Sequence, residues 1–513
     1  MTIRKQPIIL LILCLLFAFS CKKWDKYNAV PDPALTQNLL ATINQNPNLS
    51  VFAGYLVKTG YDKVISSSKT YTVWAPNNTA MQAVDPTILA DTAKLKQFVG
   101  NHIATQQYFT SQIQTYLYIK TLNGKNVTFT KTTVDDQPIS QADQYTSNGV
   151  IHTITGAIIP KPNALQYLLS TTLLQQKELV SLNYPFFDKT QAIQTGINPT
   201  TGLPVYKAGT GIVTLNRFTN LAPIGSEDSL YTYVILTDAA YTAEKTNLAK
   251  FYKGLTQTIS DSITNYSVVK SLSFKGLLNS ASFPDTVYST VDSVKFHLRA
   301  ADITETHRVS NGIVYVMSAI NYKLYGQRND KYSKIKPIVI QGETIDSLLQ
   351  PAKSIAINTR RNPDSTTYKY AYLTNSGIAS YWLMYRAPAN SVKYHVYWRV
   401  PRDYSLTPAT GATTIVYSPQ SFAVGSQTSI LFTQAAPGAI DNGANPTTGV
   451  HTYSTDYSEV YLGDYTAPNY YSGNKLDVGG LANFLNLFVV GANVTTNGAN
   501  TILLDYIKLV PTP

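Results

Sequence analysis

The sequence predicts a multidomain protein in which two α+β domains are followed by an all-β sandwich. A chain of 513 residues is too long for one hydrophobic core, so about three domains are expected. A pattern of one strand followed by helices occurs twice at a similar spacing, which indicates a repeated domain. In the last third of the chain, short alternating strands replace helical periodicity, as in antiparallel sandwiches.

The composition indicates a folded protein and argues against nucleic-acid binding. The hydrophobic fraction is 44% and the formal net charge is +11. Lysine and arginine are scattered among Tyr, Thr and Asn without a dense basic run, which is the pattern of a solvated surface. The 37 tyrosines supply flat apolar side chains with a polar tip, which suit both strands and exposed binding faces.

Residues 1–20 predict a cleaved export signal. Arg4 and Lys5 precede an apolar run from Ile8 to Phe19. That run is too short to cross a bilayer as a stable helix, and its basic start is typical of a signal peptide. We therefore expect the protein to be exported.

The end of this signal resembles the lipobox of bacterial lipoproteins, because small residues precede a cysteine in the segment Ala18–Cys21. The resemblance implies that Cys21 is lipidated and becomes the first residue of the mature chain, with residues 21–30 as a tether. An ordinary secretory signal followed by an incidental cysteine is the alternative. The other cysteine, Cys14, lies in the removed segment, so the mature chain can form no internal disulfide.

Residues 31–162 carry the pattern of the first domain. The segment Tyr71–Met81 reads as a strand that breaks at Pro76 and opens a helix with Asn or Thr as cap. Thr121–Lys125 contains Asn-Gly, which favours a tight primed hairpin turn, and Asn148–Pro160 is a turn that feeds a buried strand. Apolar residues between these blocks recur at helical spacing, at Leu95, Phe98, Val99, His102 and Ile103.

Together these blocks resemble the fasciclin domain, whose opening and closing patterns are T-V-F-A-P-x-N-x-A-F and N-G-V-I-H-x-I-D-x-V-L-x-P. Thr72–Met81 match the opening pattern, with Trp74 in place of phenylalanine. Asn148–Pro160 match the closing pattern, with Thr155 where aspartate is common. The intervening Asn101–Ile103 matches the asparagine-histidine that ends a helix in the family. The resemblance implies an α+β fold and a role in adhesion.

A more diverged copy of the same blocks predicts a second fasciclin-like domain at residues 163–325. Tyr231–Tyr241 parallels the opening block without its proline, and Ser310–Ile320 parallels the closing block with Tyr315 in place of the histidine. Residues 181–228, rich in Gly and Pro, exceed an ordinary connection and predict an insertion that carries a hairpin or a mobile loop.

The spacing of the blocks supports the repeat. Asn148 follows Tyr71 by 77 residues, and Asn311 follows Tyr231 by 80 residues. Two copies of one domain explain this agreement better than coincidence does.

A polar linker at residues 326–345 and a β-sandwich at residues 346–513 complete the predicted organisation. In Val392–Val400 apolar and polar residues alternate, which is typical of a half-buried antiparallel strand. The closing segment Leu504–Pro511 resembles the last strand of jelly rolls of the carbohydrate-binding-module and galactose-binding-like kind. Further strands are predicted at Tyr381–Tyr385, Thr413–Tyr417, Ser429–Phe432, Asn483–Val490 and Thr501–Val510.

No catalytic residue, cofactor or metal site is predicted. The sequence contains no histidine pair of the metalloprotease kind, no Gly-x-Ser-x-Gly elbow and no Walker-type loop. His102 on an apolar helical face and His152 in a buried strand predict hydrogen-bonded core histidines. Asp505 lies in an apolar strand and predicts a structural carboxylate.

Aromatic residues are the candidates for ligand contact, because sugar rings present apolar faces that stack on Tyr and Trp. Alternation places Trp398 in the core and places Tyr397 and Arg399 on the polar face of the same strand. Tyr470 and Tyr471 follow Pro468 and are predicted on a loop, where binding residues are common. The predicted ligand-binding residues are therefore Tyr470 and Tyr471 first, then Tyr397 with Arg399.

We therefore expect a non-enzymatic adhesion or glycan-binding lipoprotein that assists the capture of extracellular polysaccharide. Its expected location is the outer membrane, facing the exterior and held there by the lipid anchor. The expected partners are the membrane, a glycan or a surface protein, and not nucleic acid. The alternative is a glycan-degrading enzyme with a divergent catalytic β-domain.

The lipid anchor yields a direct prediction. Replacing Cys21 with Ala removes the acceptor thiol, so the protein should move from the membrane fraction to the soluble fraction. Fractionation combined with metabolic labelling by a palmitate analogue measures this change. A wild-type protein without lipid label, or a variant that fractionates as the wild type does, would contradict the prediction.

Overall fold

The computed structural model describes the chain from Asp32 onward with several gaps. Cys21, the predicted signal and tether, and the predicted strand at 413–417 lie outside the described residues. Within them, no helix is both long enough and apolar enough to span a bilayer. The described residues are 32–327, 330–350, 355–362, 364–373, 376–400, 419–434, 440–444, 451–454, 458–473, 483–495 and 500–513.

The described chain divides into two compact units. The first holds the residues up to Ala164 together with 225–230 and 308–311, and the second holds 165–224, 231–307 and 312–513. The first α+β domain lies in the first unit. Most of the second α+β domain and the β-sandwich lie in the second unit.

In the first domain, helices surround one side of a mixed sheet. The sheet has the order β2-β1-β7-β6-β5-β4-β3, with β1 parallel to β7 and antiparallel to β2. The helices are α1 (Leu39–Gln45), α2 (Ser50–Thr59), α3 (Tyr61–Ile65), α4 (Asn78–Gln82), α5 (Pro86–Ala90) and α6 (Thr92–Gly100). The strands are β1 (Tyr71–Pro76), β2 (Ile103–Thr105), β3 (Leu117–Lys120), β4 (Asn126–Phe129), β5 (Thr133–Val134), β6 (Gln137–Thr146) and β7 (Gly149–Ile154).

Strand β1 is buried on both faces, because it separates two hydrophobic cores. Val73 points into the helical core with Phe52 and Phe98. Trp74 points the other way, into a core formed with the hairpin strands, where its ring lies 5.5 Å from that of Phe129. Burial on both faces explains why this strand is nearly all apolar.

The predicted turns and caps are largely confirmed. Asn77 caps α4 by accepting a hydrogen bond from the Ala80 amide at 2.8 Å. The Asn-Gly hairpin forms between β3 and β4, but its turn is longer than the predicted two-residue turn. The Thr121 amide bonds to the Lys125 carbonyl at 2.8 Å, which leaves three residues in the turn, with Gly124 at φ +85°. A three-residue turn with one left-handed glycine satisfies the same strand twist.

The second domain has a central sheet in the order β13-β12-β17-β16, together with the strand pairs β11-β8, β10-β9 and β14-β15. Its helices are α7 (Ala164–Ser170), α8 (Leu174–Ser181), α9 (Asp238–Ala249) and α10 (Gln257–Val269). Its strands are β8 (Asn183–Phe187), β9 (Gln194–Ile197), β10 (Pro204–Tyr206), β11 (Ile212–Asn216), β12 (Tyr231–Leu236), β13 (Ser273–Lys275), β14 (Val287–Tyr288), β15 (Lys295–Phe296), β16 (Ile303–Val309) and β17 (Gly312–Met317).

The central strands of the two domains have the same register. Tyr71 is paired with Gly149 in the parallel ladder of the first domain, and Tyr231 is paired with Gly312 in that of the second. The next residue repeats a further detail. The Thr72 hydroxyl donates to the Gln106 carbonyl at 2.9 Å. The Thr232 hydroxyl donates to the Gly276 carbonyl at the same distance.

The predicted insertion forms two antiparallel hairpin pairs, β8 with β11 and β9 with β10. Of the two alternatives, hairpin or loop, the structure therefore shows paired strands. Many of its large apolar side chains are exposed, including Ile197 and Leu203, each 65% exposed.

The segment predicted as a linker, residues 326–345, is hydrogen-bonded to the second domain at its start and forms a sandwich strand further on. The amides of Lys334 and Ile335 donate to the carbonyls of Lys323 and Leu324 at 2.8 Å, which ties this segment to the second domain. The first sandwich strand then begins at Ile338. The sandwich therefore starts before residue 346.

The described part of the sandwich contains two main sheets, β18-β31-β23-β28 and β19-β22-β29-β24-β25. A three-stranded sheet, β20-β21-β30, and a strand pair, β26-β27, accompany them. Its strands are β18 (Ile338–Gln341), β19 (Ser347–Leu348), β20 (Ala356–Arg361), β21 (Thr367–Leu373), β22 (Trp382–Ala387), β23 (Lys393–Arg399), β24 (Gln420–Val424), β25 (Ile430–Gln434), β26 (Ile440–Ala444), β27 (His451–Ser454), β28 (Val460–Thr466), β29 (Leu485–Gly491), β30 (Ile502–Leu504) and β31 (Tyr506–Pro511).

Strand β23 confirms the predicted alternation. Tyr394, Val396 and Trp398 are fully buried, and the ring of Trp398 reaches to 6.3 Å from that of Phe422 in the opposite sheet. The predicted final strand is divided at Asp505 into β30 and β31, which belong to different sheets. The predicted fold class, two α+β domains followed by a β-sandwich, is confirmed.

The histidines predicted for the core are buried and hydrogen-bonded. His102 accepts at Nε2 from the Ile158 amide at 2.9 Å, so its proton is on Nδ1, which donates to the Phe98 carbonyl at 2.8 Å. His152 accepts at Nδ1 from the Asp143 amide at 3.2 Å. Both are structural groups.

The sandwich core provides a stability prediction. Trp398→Ala should lower the free energy of unfolding by roughly 3–5 kcal/mol, because a large aromatic is removed from between the sheets. Tyr397→Ala, one residue away on the polar face, is the matched control and should cost clearly less. Urea unfolding followed by circular dichroism measures both. Equal losses for the two variants would contradict the assigned faces.

Burial of His102 predicts acid sensitivity of the first domain. Burial lowers the pKa of His102 to about 4, below its ordinary value, so the unfolded chain takes up a proton first as the pH falls. The folded state should therefore lose roughly 3 kcal/mol of stability between pH 6.5 and pH 4. NMR titration of the imidazole in residues 31–162 tests the cause directly. A His102 that titrates near pH 6.5 in the folded domain would refute it.

Candidate functional site

The residues predicted for ligand binding occupy two places in the sandwich. Tyr397 and Arg399 lie on β23, on the face of its sheet that points away from Trp398. Tyr470 and Tyr471 lie after β28, on the predicted loop. The structure therefore does not bring the four residues into one site.

Tyr397 belongs to a polar and aromatic surface of the sheet. Its ring lies 5.4 Å from that of Tyr461 on β28, which is 48% exposed. His395 meets the same Tyr461 ring edge-on at 5.7 Å. We call this surface, formed by Lys393, His395, Tyr397, Tyr461 and Asp464, the sheet face.

Asp464 organises the charges of the sheet face. Its carboxylate accepts from the ammonium of Lys393 at 2.6 Å, from the Tyr461 hydroxyl at 2.5 Å and from His395 at 2.5 Å. The hydrogen bond from Lys393, followed by those from Tyr461 and His395, holds the pKa of Asp464 well below its usual value. The hydrogen bond between Tyr461 and Asp464 raises the pKa of Tyr461 to about 12. These polar groups are already bonded to one another.

Arg399 has a different surrounding from the one predicted for it. Its side chain is 14% exposed and pairs with Asp505, with 2.5 Å between Nε and the carboxylate oxygen. The guanidinium stacks over Tyr368 at 4.5 Å and donates to Asn362 at 2.8 Å. Arg399 thus joins β23 to the break between β30 and β31, and a ligand on the sheet face does not reach it without displacing these contacts.

Asp505 is the structural carboxylate that the sequence predicts. Its side chain is 4% exposed. Burial raises its pKa to about 6, and the Arg399 guanidinium opposes this rise.

Tyr470 and Tyr471 line a cleft of about 260 Å³ in the second unit, where the sandwich meets the second domain. The Tyr470 amide donates to the Lys253 carbonyl at 2.6 Å, and Tyr471 exchanges backbone hydrogen bonds with Ala389 at 2.7 and 2.9 Å. The Tyr470 ring lies 5.1 Å from that of Tyr252. Both tyrosines are therefore half-buried, and backbone hydrogen bonds hold the predicted loop in place.

Three lysines meet in this cleft, one at the end of α10 and two in the segment predicted as a linker. Lys270 pairs with Asp292 at 2.9 Å. Lys334 donates to the Ser267 carbonyl at 2.5 Å, and Lys336 donates to the Asp292 carbonyl. We call this site, lined by Tyr252, Lys270, Asp292, Lys334, Lys336, Tyr470 and Tyr471, the lysine–tyrosine cleft.

The electrostatics of the cleft follow from burial and from the neighbouring charges. Burial lowers the pKa of Lys334 to about 8, while Asp292 and Glu244 partly restore it. Burial also lowers the pKa of Lys336. Although burial opposes it, the Lys270 ammonium keeps the pKa of Asp292 below its usual value. At neutral pH the cleft is therefore cationic.

Sequence reasoning missed the lysines of the cleft. Lys334 and Lys336 fall in the segment predicted as a linker, and Lys270 ends a helix more than sixty positions earlier. Their alternation around Ile335, which is fully buried, is the one local sign that this segment is structured. In the described part of the chain, no three His, Cys, Asp or Glu side chains are grouped so as to hold a metal.

Known proteins resemble separate parts of this chain. Transforming growth factor-beta-induced protein ig-h3 from Sus scrofa is 26% identical over 125 residues, covering 23% of this chain and 18% of that protein. The match thus spans less than a fifth of that relative.

Two solved structures align with the chain at low similarity. The FAS1 domain pair from the insect cell adhesion molecule Fasciclin I covers 54% of this chain and 97% of its own, at 13% identity and a TM-score of 0.23. A beta-1,3-glucan binding CBM6 from Bacillus halodurans covers 34% of this chain and 95% of its own, at 11% identity and a TM-score of 0.18.

The family assignment rests on the sequence blocks and on a family model. The Fasciclin domain model matches residues 47–160, which include both the opening block at β1 and the closing block at β7. The structure pairs these two blocks as adjacent parallel strands. Residues 47–160 are therefore a fasciclin domain.

Proposed function

We propose that this protein is a non-enzymatic binding protein of the cell surface, in which the fasciclin domain mediates adhesion and the sandwich helps to capture a glycan. The observation that carries the proposal is the lysine–tyrosine cleft. It presents Tyr470 and Tyr471 beside donors that match sugar hydroxyls, and this combination of aromatic surface and polar groups is what sugar recognition needs.

The proposal extends to the second domain and to the location. The repeated pairing of Tyr231 with Gly312 supports a second, diverged fasciclin domain. Lipidation at Cys21 would hold the protein on the outer face of the outer membrane, which suits a role accessory to polysaccharide capture. Its partners would then be the membrane, through the anchor, and a glycan or a surface protein.

A binding role is favoured over hydrolysis by the state of Asp505. A glycosidase needs two carboxyl groups facing the scissile bond. Asp505 is buried against Arg399, and the carboxylate in the cleft, Asp292, pairs with Lys270. Both carboxylates are therefore engaged in ion pairs.

The proposal predicts that the cleft tyrosines carry glycan affinity. A glycan array first identifies an oligosaccharide that the wild-type protein binds. Replacing both Tyr470 and Tyr471 with Ala should then weaken its binding by about 1–3 kcal/mol, in analogy with bases stacked on aromatic platforms. Isothermal titration calorimetry measures this loss, and thermal unfolding establishes that the variant is folded.

The matched control changes two tyrosines of the sheet face, Tyr397 and Tyr461, to Ala. This variant should bind as the wild type does. If the control loses affinity while the Tyr470 and Tyr471 variant keeps it, the sheet face is the binding surface and the cleft is not.

A further inference from the structure

The lysine–tyrosine cleft carries more positive charge than its own carboxylate can balance. Lys270, Lys334 and Lys336 line it, and among the described residues that line it Asp292 is the one carboxylate. Asp292 receives the Lys270 ammonium at 2.9 Å through its side chain, whereas Lys336 bonds to its main-chain oxygen. The described lining of the cleft therefore holds three ammonium groups and one carboxylate.

Lys334 is held in place by neutral partners. Its ammonium donates to the Ser267 carbonyl at 2.5 Å and to the Ser271 hydroxyl at 3.1 Å. These bonds orient the charge without neutralising it. Glu244, on α9, is the further carboxylate that acts on Lys334, and it accepts a hydrogen bond from the Tyr322 hydroxyl. Within the part of the chain that the structure describes, the Lys334 ammonium has these neutral groups as its direct partners. A buried charge without a direct counter-ion favours the binding of an anion.

The aromatic residues limit the kind of anion. Tyr252, Tyr470 and Tyr471 give the cleft apolar surface beside its charges. A small inorganic ion would leave this surface uncovered. A sugar ring would cover it and present a ring substituent to the lysines. At about 260 Å³, the cleft is smaller than a typical pocket for a drug-sized molecule, so it suits one or two sugar units.

We propose that the lysine–tyrosine cleft selects an anionic sugar unit, whose carboxylate or sulfate group contacts the lysines while its ring lies against Tyr470 and Tyr471. This inference rests on the proposed glycan-binding function and narrows it to a ligand class. Charge-assisted hydrogen bonds from the ammonium groups would provide selectivity over neutral sugars of the same shape.

The test compares pairs of ligands that share their sugar rings and differ in the charged substituent. Calorimetry with the full mature chain measures binding of trigalacturonic acid and of its methyl ester, which keeps the rings and removes the charge. A second pair, a galactose-4-sulfate tetrasaccharide and its desulfated form, distinguishes sulfate from carboxylate. We expect at least one anionic member to bind roughly tenfold more tightly than its neutral counterpart.

Variants connect this preference to the cleft. Lys336→Gln should reduce the preference for the anionic member by roughly fivefold or more, and Lys336→Arg should retain it. Lys393→Gln, on the sheet face, removes one positive charge elsewhere and should leave the preference unchanged. An equal effect of Lys336→Gln and Lys393→Gln would show that net charge, and not the cleft, attracts the ligand.

The pH dependence supplies an independent measurement. Lys334 is charged below its pKa of about 8, so affinity for the anionic ligand should fall as the pH rises from 7 to 9. Affinity for the methyl ester should stay constant over the same range. Lys270, Lys336, Asp292 and Glu244 are the charged groups around Lys334. Burial raises the pKa of Glu244, and, although burial opposes it, the Lys270 ammonium lowers the pKa of Asp292.

The outcomes separate this inference from the proposed function. If neutral and anionic ligands bind equally, and Tyr470 and Tyr471 are required, the inference is overturned and the proposed function stands. If anionic ligands bind but none of the cleft variants changes their affinity, the site lies elsewhere and the inference is again overturned. If no glycan binds, both are overturned.

Discussion

A buried asparagine side chain is the interaction on which the α+β domains depend. Asn148 accepts from the Leu39 amide at 2.9 Å and donates to the carbonyls of Ile65 and Ser67 at 2.7 and 3.0 Å. One amide thus satisfies the start of α1 and the end of α3 at the point where β7 enters the core. Loss of this side chain would leave three backbone groups unpaired, which is costly where they are buried. Few other side chains can both accept and donate at the same place. Asn311 repeats the arrangement by accepting from the Ala164 amide at 2.9 Å.

The residue that follows each asparagine must be glycine for a steric reason. A Cβ on Gly149 would lie 2.2 Å from the Tyr71 carbonyl oxygen, and one on Gly312 would lie 1.8 Å from that of Tyr231. Gly312 also has φ +148°, which side chains rarely permit. With glycine at this position, β7 and β17 can pair with the central strand from their first residue. The Asn-Gly pair recurs as Asn311–Gly312, although Tyr315 stands in the place of the closing-block histidine and the opening-block proline is absent.

The two faces of strand β23 in the sandwich have different surroundings. On β23 one face supplies Trp398 to the core, and the other supplies Tyr397 to a surface whose charges are balanced around Asp464. The lysine–tyrosine cleft is unlike that surface, because Lys334 has neutral hydrogen-bond partners. This difference in charge balance is why we propose the cleft, and not the sheet face, as the ligand-binding site.

The sequence by itself determined those features that depend on neighbouring residues: the opening and closing blocks, the cap at Asn77, the alternation that buries Trp398, and the order of the domains. Each follows from local geometry or from side-chain period, which a linear chain displays directly. Only the tertiary structure decided that Arg399 is occupied by Asp505, and that Tyr470 lines a cleft with Lys334. These contacts join segments that are distant along the chain, and their electrostatics depend on burial and on partners that no local pattern encodes.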